Sequence, residues 1–289
     1  AIEQLMRSDS PNVVRQAIRS IGRLADDELF VHVMAAVDDR RYQRAAGVAL
    51  ASYGKAALQP LLDHLRDTVA DERSRQRSAR ALAQIELQET VDSIFGCIDD
   101  VEPSLQYKLL KTLSKLRNRN ARLQFDPARV RELLQETAEH VARLRQVGGA
   151  VDDSEHKLLR RALREKLQQY EKRVFRLLGM LYPPRDLYNA YLGYVSGDSE
   201  ARGSALELLE NLLTRDDRDS VLAVLDPSPE SRVPSVSVEE AMEHLLAASD
   251  PWLRACATHS FLRGRDAVTR ERLTELGRDR HPLVRETAE

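Results

Sequence analysis

Four stretches of this chain can be laid over one another: DSPNVVRQAIRSIG (residues 9–22), RRYQRAAGVALA (40–51), RSRQRSARALA (73–83) and LQYKLLKTLS (105–114). Each closes on an aliphatic residue followed by a small one: Ile21-Gly22, Leu50-Ala51, Leu82-Ala83 and Leu113-Ser114. The aliphatic member therefore returns about every thirty residues, the length of a helix–turn–helix unit. Between these stretches lie second segments at 26–37, 55–65 and 88–98, whose apolar residues fall three or four apart, as in Leu58, Leu61, Leu62 and Leu65. The pattern returns in DSEARGSALELLENLL (198–213), DPWLRACATHSFL (250–262) and RHPLVRETAE (280–289). One short helix pair cannot bury its own apolar stripe, so the units must stack against neighbours.

Residue types agree with helix throughout. Glycine and proline are few, β-branched runs are nearly absent, and Ala, Leu, Arg and Glu dominate. Asp9, Asp198 and Asp250 stand where a side chain can accept the free N–H groups of a helix start. Pro11, Pro251 and Pro282 stand just inside such starts, where the missing N–H costs nothing. Small residues at the ends of the first segments are expected to let the paired helix approach closely. The pattern resembles the HEAT family of helical repeats. The resemblance implies an all-α, right-handed HEAT-type solenoid of roughly seven or eight helix pairs. The recurring arginines, Arg15, Arg44, Arg202, Arg254 and Arg285, have two readings, a ladder in which each pairs with a turn aspartate of a neighbouring repeat, which is expected, and a ligand-binding stripe.

The repeat breaks near residue 118. A helix is predicted from Asp126 as cap and Pro127 as first residue to Gly148-Gly149, followed by a second that Pro183-Pro184 stops. These two long antiparallel helices divide the chain into N-terminal repeats (1–118), a central hairpin (119–185) and C-terminal repeats (186–289), the last of them truncated. A Pro/Ser loop at 226–237 forms a second irregularity, preceded by a short helix near 217–225. The wording of 173–213, with 250–262 and 281–288, resembles the soluble HEAT-repeat region of certain bacterial membrane proteins. Those proteins carry a major-facilitator-type domain similar to ATP/ADP translocases, and some add a cyclic-nucleotide-binding domain. The resemblance implies a soluble middle segment with both ends cut, in keeping with the absence of an initiator methionine. It implies a cytoplasmic location, with tethering to the inner membrane through a missing N-terminal domain. It supplies no transport residues.

Composition excludes several other classes. A chain that is 31% charged, with no long apolar run, offers no membrane span. A formal net charge of −2 gives no general attraction to polyanions, so nucleic acid is not the expected partner. Cys97 and Cys256 suggest no disulfide framework, and no signal peptide is visible.

No chemical motif emerges. There is no phosphate loop, no dinucleotide-binding glycine pattern and no C-x-x-C pair. Glu139-His140, Glu155-His156 and Glu243-His244 reverse the His-Glu order with which the deoxyhypusine hydroxylases, a HEAT enzyme class, hold paired iron. They are read as solvated faces, and neither metal nor cofactor is expected. Trp252, the only tryptophan, is expected in a core. Two surfaces stand out as candidates for interaction. Tyr188, Tyr191 and Tyr194 recur every third residue and suggest packing or a protein-binding patch. Arg73, Arg77 and Arg80, with Lys115, Arg117, Arg119 and Arg122 farther on, form a basic strip that could follow phosphates. The expected function is a non-enzymatic protein-interaction or scaffold module that docks a protein partner or adjoining domains of the same polypeptide. The alternative is a HEAT-like nucleic-acid binder or DNA-glycosylase-type enzyme.

Overall fold

The computed structural model describes residues 2–151, 156–227, 236–263, 274–279 and 281–289. Regular structure among them is helical, without a β-strand. Backbone contacts gather into two compact units, Ala1–Pro127 and Ala128–Glu289. The long central hairpin is grouped with the C-terminal helices.

In the first unit a short α1 (Ile2–Met6) leads into α2 (Pro11–Leu24), α3 (Phe30–Val37), α4 (Gln43–Tyr53), α5 (Leu58–Arg66), α6 (Glu72–Leu82), α7 (Gln88–Phe95) and α8 (Pro103–Arg119). The recurring stretches become α2, α4, α6 and α8. They pack in chain order, α2 on α4, α4 on α6 and α6 on α8. Each intervening helix packs on the next member of this row, α3 against α4, α5 against α6 and α7 against α8. Ile18, Ile21, Leu50, Leu61, Leu65, Leu82, Ile94, Leu105 and Leu109 are fully buried. Each contributes roughly 1.5–3 kcal/mol relative to exposure.

The small residues act differently from expectation. Gly22 meets the next first helix, not its own partner: a Cβ there would lie 2.5 Å from Ala49 Cα. Close approach therefore sets the spacing between successive repeats. Polar bonds join the same row, as where buried Thr112 Oγ1 donates to the Ala79 carbonyl at 2.6 Å. Tyr53, at the end of α4, donates to the Asp26 carbonyl at 2.6 Å and meets Phe30 edge-on at 5.0 Å.

The second unit holds α9 (Pro127–Ala150), α10 (Lys157–Leu181), α11 (Pro184–Val195), α12 (Ser199–Leu212), α13 (Arg215–Leu225), α14 (Val238–Leu246), α15 (Pro251–Arg263) and α16 (Pro282–Ala288). The two long helices run antiparallel: Arg160 Nη1 donates to the Gly148 carbonyl at 2.5 Å, and His140 stacks on Tyr170 at 6.2 Å. Gly148 and Gly149 do not end α9, which continues to Ala150. Around α10, α14 and α15 a core forms from Leu159, Leu163, Met242, Leu245, Leu253, Cys256 and Val284. α11 and α12 cross where a Cβ on Gly193 would lie 3.0 Å from the Ala201 carbonyl. Most of the 226–237 loop lies outside the described residues.

Caps and prolines sit where helix chemistry places them, with one exception. Asp198 accepts from Glu200 N at 3.2 Å and Asp250 from Trp252 N at 2.9 Å. Pro11, Pro251 and Pro282 are first residues of their helices. Asp9 is not the cap of α2; Ser10 occupies that position, without a side-chain bond. Trp252 is not a core residue either. It is 45% exposed, because the neighbouring Leu253 and Arg254 take the inward positions of α15.

The arginine ladder requires the largest correction. Of the five arginines named for it, Arg254 pairs with a turn aspartate, holding Asp279 through two bonds of 3.0 Å. Arg15 turns back to Asn12 in its own helix, Arg44 is exposed, and Arg202 lies over the Tyr194 ring at 4.2 Å. Arg285 donates to the Asp279 carbonyl at 2.8 Å. Arg75, absent from that set, is the true counterpart of Arg254. It is buried, holds Glu102 with bonds of 2.8 and 2.9 Å, and donates to the Leu65 carbonyl.

What these arginines share is a carbonyl at a helix end. Arg75 reaches Leu65 in the last turn of α5, and Arg254 reaches Ala248 and Ser249 just after α14. Arg119 reaches Ala83 after α6, while Arg145 reaches Ala223 and Val224 at the end of α13. The last four carbonyls of a helix have no internal partner, and a cation there also meets the negative end of the helix dipole.

Candidate functional site

Tyr188, Tyr191 and Tyr194 lie on one helix, α11, but do not share an environment. Tyr194 is buried, with its hydroxyl donating to the Leu225 carbonyl at 3.2 Å and accepting from Arg202 at 2.8 Å. Burial first, and the nearby Glu171 carboxylate second, push its ionisation far above the ordinary tyrosine value. Tyr191 is half-buried, edge-on to Phe175 of α10 at 5.2 Å. Tyr188 alone is exposed, at 61%. The triplet is therefore mostly packing, and its outward neighbours are aliphatic: Leu192 and Val195 are about half exposed. Tyr188, Leu192 and Val195 fall at steps of four and three, one stripe along the outer side of α11.

Arg73, Arg77 and Arg80 are on α6. Arg73 and Arg80 are exposed, whereas Arg77 is partly covered and donates to the Asp38 carbonyl. The packing of α6 on α8 brings Arg80 beside a row on α8, Lys108, Lys111, Lys115 and Arg119. Partial burial, and then the positive charges of Arg80 and Lys111, lower the ionisation of Lys108. Lys115 is lowered likewise, by burial and then by Lys111, Arg119 and Arg80. Arg117, by contrast, turns to the Phe125 ring at 5.8 Å, and Arg122 lies beyond the helix, exposed.

One constellation has the composition of a hydrolase site. His64 Nδ1 lies 2.7 Å from Ser78 Oγ, His64 Nε2 lies 3.1 Å from Ser74 Oγ, and Asp38 approaches the same Nε2 at 3.7 Å. Ser78 is fully buried, and Ser74 donates its proton to Asp38. A serine nucleophile needs an exposed oxygen whose proton goes to the imidazole, with the carboxylate on the opposite ring nitrogen. Neither serine meets that geometry, and the group ties the end of α3 to α5 and α6.

In the second unit a cleft of about 370 Å³ is lined by Arg131, Glu132, Gln135, Asp216, Asp217 and Ser220. Asp217 is the buried member. Arg131 Nε donates to it at 2.8 Å, and the hydroxyls of Tyr182 and Thr214 donate as well. Burial alone would raise its pKa, but these three donors hold the carboxyl below the ordinary 3.8. With both oxygens engaged by these donors, Asp217 fixes α13 to α9.

The histidines of the three Glu-His dipeptides are dispersed. His140 bonds to the Glu136 carbonyl, His244 is lowered in pKa by burial and then by Arg143, and Glu155 lies outside the described residues. No cluster of three His, Cys, Asp or Glu is placed to hold a metal among the described residues. Cys97 and Cys256 are buried free thiols; burial, followed by the nearby Asp250 and Glu165 carboxylates, raises Cys256 to about 11. No described helix is long and apolar enough to cross a membrane.

Sequence reasoning missed Leu192 and Val195, although their spacing from Tyr188 was available. It also missed Lys108 and Lys111, which join Arg80 only once α6 and α8 are packed. The chain matches no protein-family model. Comparison with curated protein sequences gives no significant match.

Proposed function

We propose that this chain is a non-enzymatic docking module, a HEAT-type helical solenoid whose exposed helix faces bind a protein partner or adjoining domains of its own polypeptide. The in-order packing of α2, α4, α6 and α8 supports the solenoid, since each repeat buries its apolar stripe on the next. One observation carries the docking role: Tyr188, Leu192 and Val195 present an apolar stripe to solvent on α11. The helix beneath is held rigidly by Tyr194, Phe175 and the Gly193 crossing. Aromatic and aliphatic anchors on a preformed face bind with little ordering cost. The occupied hydrogen-bonding groups of Ser74, His64 and Asp217 support a binding role over a catalytic one. Residues 173–213 resemble the soluble part of bacterial transporter-like membrane proteins, which supports a cytoplasmic segment tethered through a further domain.

The test places a photo-cross-linking residue at position 188 in cells. One dominant protein adduct, abolished by Leu192→Ser with Val195→Ser, is expected; adducts no different from those formed at exposed Lys172 would refute the reading. The serine pair should leave the melting temperature within a few degrees of the parent, as exposed substitutions do.

A further inference from the structure

Formal charge conceals a strong separation in the first unit. α2, α4, α6 and α8 contain a single acidic residue, Glu72, against many arginines and lysines. The acids lie instead in the turns and second helices, as with Asp26, Asp38, Asp63, Asp67, Glu89 and Asp99. Because the four first helices pack in a row, α2 on α4, α4 on α6 and α6 on α8, the sides they turn to solvent lie next to one another. Arg19 on α2, Arg44 on α4, Arg73 and Arg80 on α6, and Lys111 and Lys115 on α8 are all exposed there. None has a carboxylate within 4 Å among the described residues. Ordinary surfaces intersperse the two signs, and cations left unneutralised over four helices repel one another. Glu72, at the start of α6, accepts from Gln76 and Ser104 and acts on Lys108, but it is one negative charge among many positive ones.

We propose that this face is a binding surface for the phosphate backbone of duplex nucleic acid. The inference lies beyond the docking role of α11, is carried by a different unit and does not rest on it. Three properties select this partner. A folded protein partner calls for apolar anchors clustered at the centre of the contact, whereas the large exposed hydrophobics of the four first helices are Leu24, the last residue of α2, and Val48 on α4. A bilayer surface is matched by aromatic or aliphatic side chains that enter it, and the face has none in a stripe. The arginines are interleaved with uncharged donors, Gln16, Ser20 and Asn118, the types that bond phosphate oxygens and fix register without reading bases. Guanidinium groups match phosphate geometry especially well.

The experiment is fluorescence anisotropy of the full chain with a labelled DNA duplex of about 24 base pairs, at about 50 and 200 mM salt. Micromolar binding is expected at the lower salt, with a log–log salt slope of about −4.5 to −5.5 if five or six phosphates are engaged. Arg80→Glu with Lys111→Glu and Lys115→Glu should weaken binding at least tenfold. Arg164→Glu with Lys172→Glu and Arg185→Glu, an equal charge change on exposed residues of the second unit, should leave it within about twofold. Should the first variant fail to fold by circular dichroism, the milder Arg80→Gln, Lys111→Gln, Lys115→Gln variant takes its place and should reduce the salt slope by about three. Absence of salt-dependent binding, or equal loss in both charge-reversal variants, overturns the proposal. So does binding to phosphatidylserine vesicles or polyglutamate without binding to the duplex.

Discussion

At the scale of single residues, arginine is this protein's recurring fastener. A planar guanidinium can serve a carboxylate and a helix-end carbonyl together, which an ammonium on a flexible stem cannot do with the same geometry. Arg75 and Arg254 do so while buried. Arg75→Ala strands the Leu65 carbonyl and leaves Glu102 without its partner. We expect a loss of about 2–4 kcal/mol in urea unfolding. Arg75→Lys should recover less than half of it. Glu102→Gln should cost less, since Glu102 keeps solvent contact while Arg75 does not. A loss under about 0.5 kcal/mol for Arg75→Ala would mark the buried pair as energetically idle. The sequence displayed the candidate arginines but not their roles. Arg15 and Arg254 both follow a cap–proline start, yet Arg254 is the fourth residue of α15 and Arg15 the fifth of α2, so Val14 takes the inward position and Arg15 does not.

At the scale of elements, helix spacing is set by where side chains are missing. Gly22 and Gly193 permit helix crossings, while Gly203 has nothing within 4 Å of a Cβ position. Alanine therefore has opposite effects at these sites. Gly22→Ala should destabilise by about 1–3 kcal/mol, because the obstruction is Ala49 backbone and cannot swing aside. Gly193→Ala should cost less, since its nearest contact is 3.0 Å. Gly203→Ala should stabilise by about 0.5–1 kcal/mol through helix propensity alone. Thermal melts of the three variants check the order; stabilisation by Gly22→Ala would show that α2 and α4 can separate freely. The helices themselves were legible from apolar spacing, caps and prolines, and most predicted segments coincide with observed ones within a few residues. Which helix a small residue touches was not legible, because sequence spacing does not distinguish a partner within a pair from the neighbour in the row.

At the scale of the whole molecule, charge is distributed unequally between the units. The face of α2, α4, α6 and α8 is basic, and in the second unit buried Asp217 and partly buried Asp250 are carboxylates held below the ordinary value. Asp217 resists its own burial through Arg131, Tyr182 and Thr214; Asp250 does so through Lys166, at 2.5 Å, and two backbone N–H groups of α15. A carboxyl with a depressed folded pKa contributes stability that is complete above its unfolded value, near 3.8. That contribution is lost as pH falls through the lower folded value, when the native state must take up protons too. Hydrogen exchange at falling pH should therefore show α13 and α15 losing protection below about pH 4 before the buried helices of the first unit do. Asp250→Asn, which cannot pair with Lys166 as a charge, should flatten the acid dependence around α15 and lower stability near neutral pH. An unchanged acid profile in that variant would assign the sensitivity elsewhere.

The sequence by itself determined that the chain is helical, because apolar periodicity, capping residues and proline placement act within a few residues of each other. It also determined the roughly thirty-residue rhythm, since units too short to bury themselves leave a repeating apolar signature. Tertiary structure decided which arginines are buried, which tyrosine remains in water and which cations stand together. Those outcomes depend on helix rotation: a shift of one residue turns a side chain by about 100°, and only packing against neighbours fixes it.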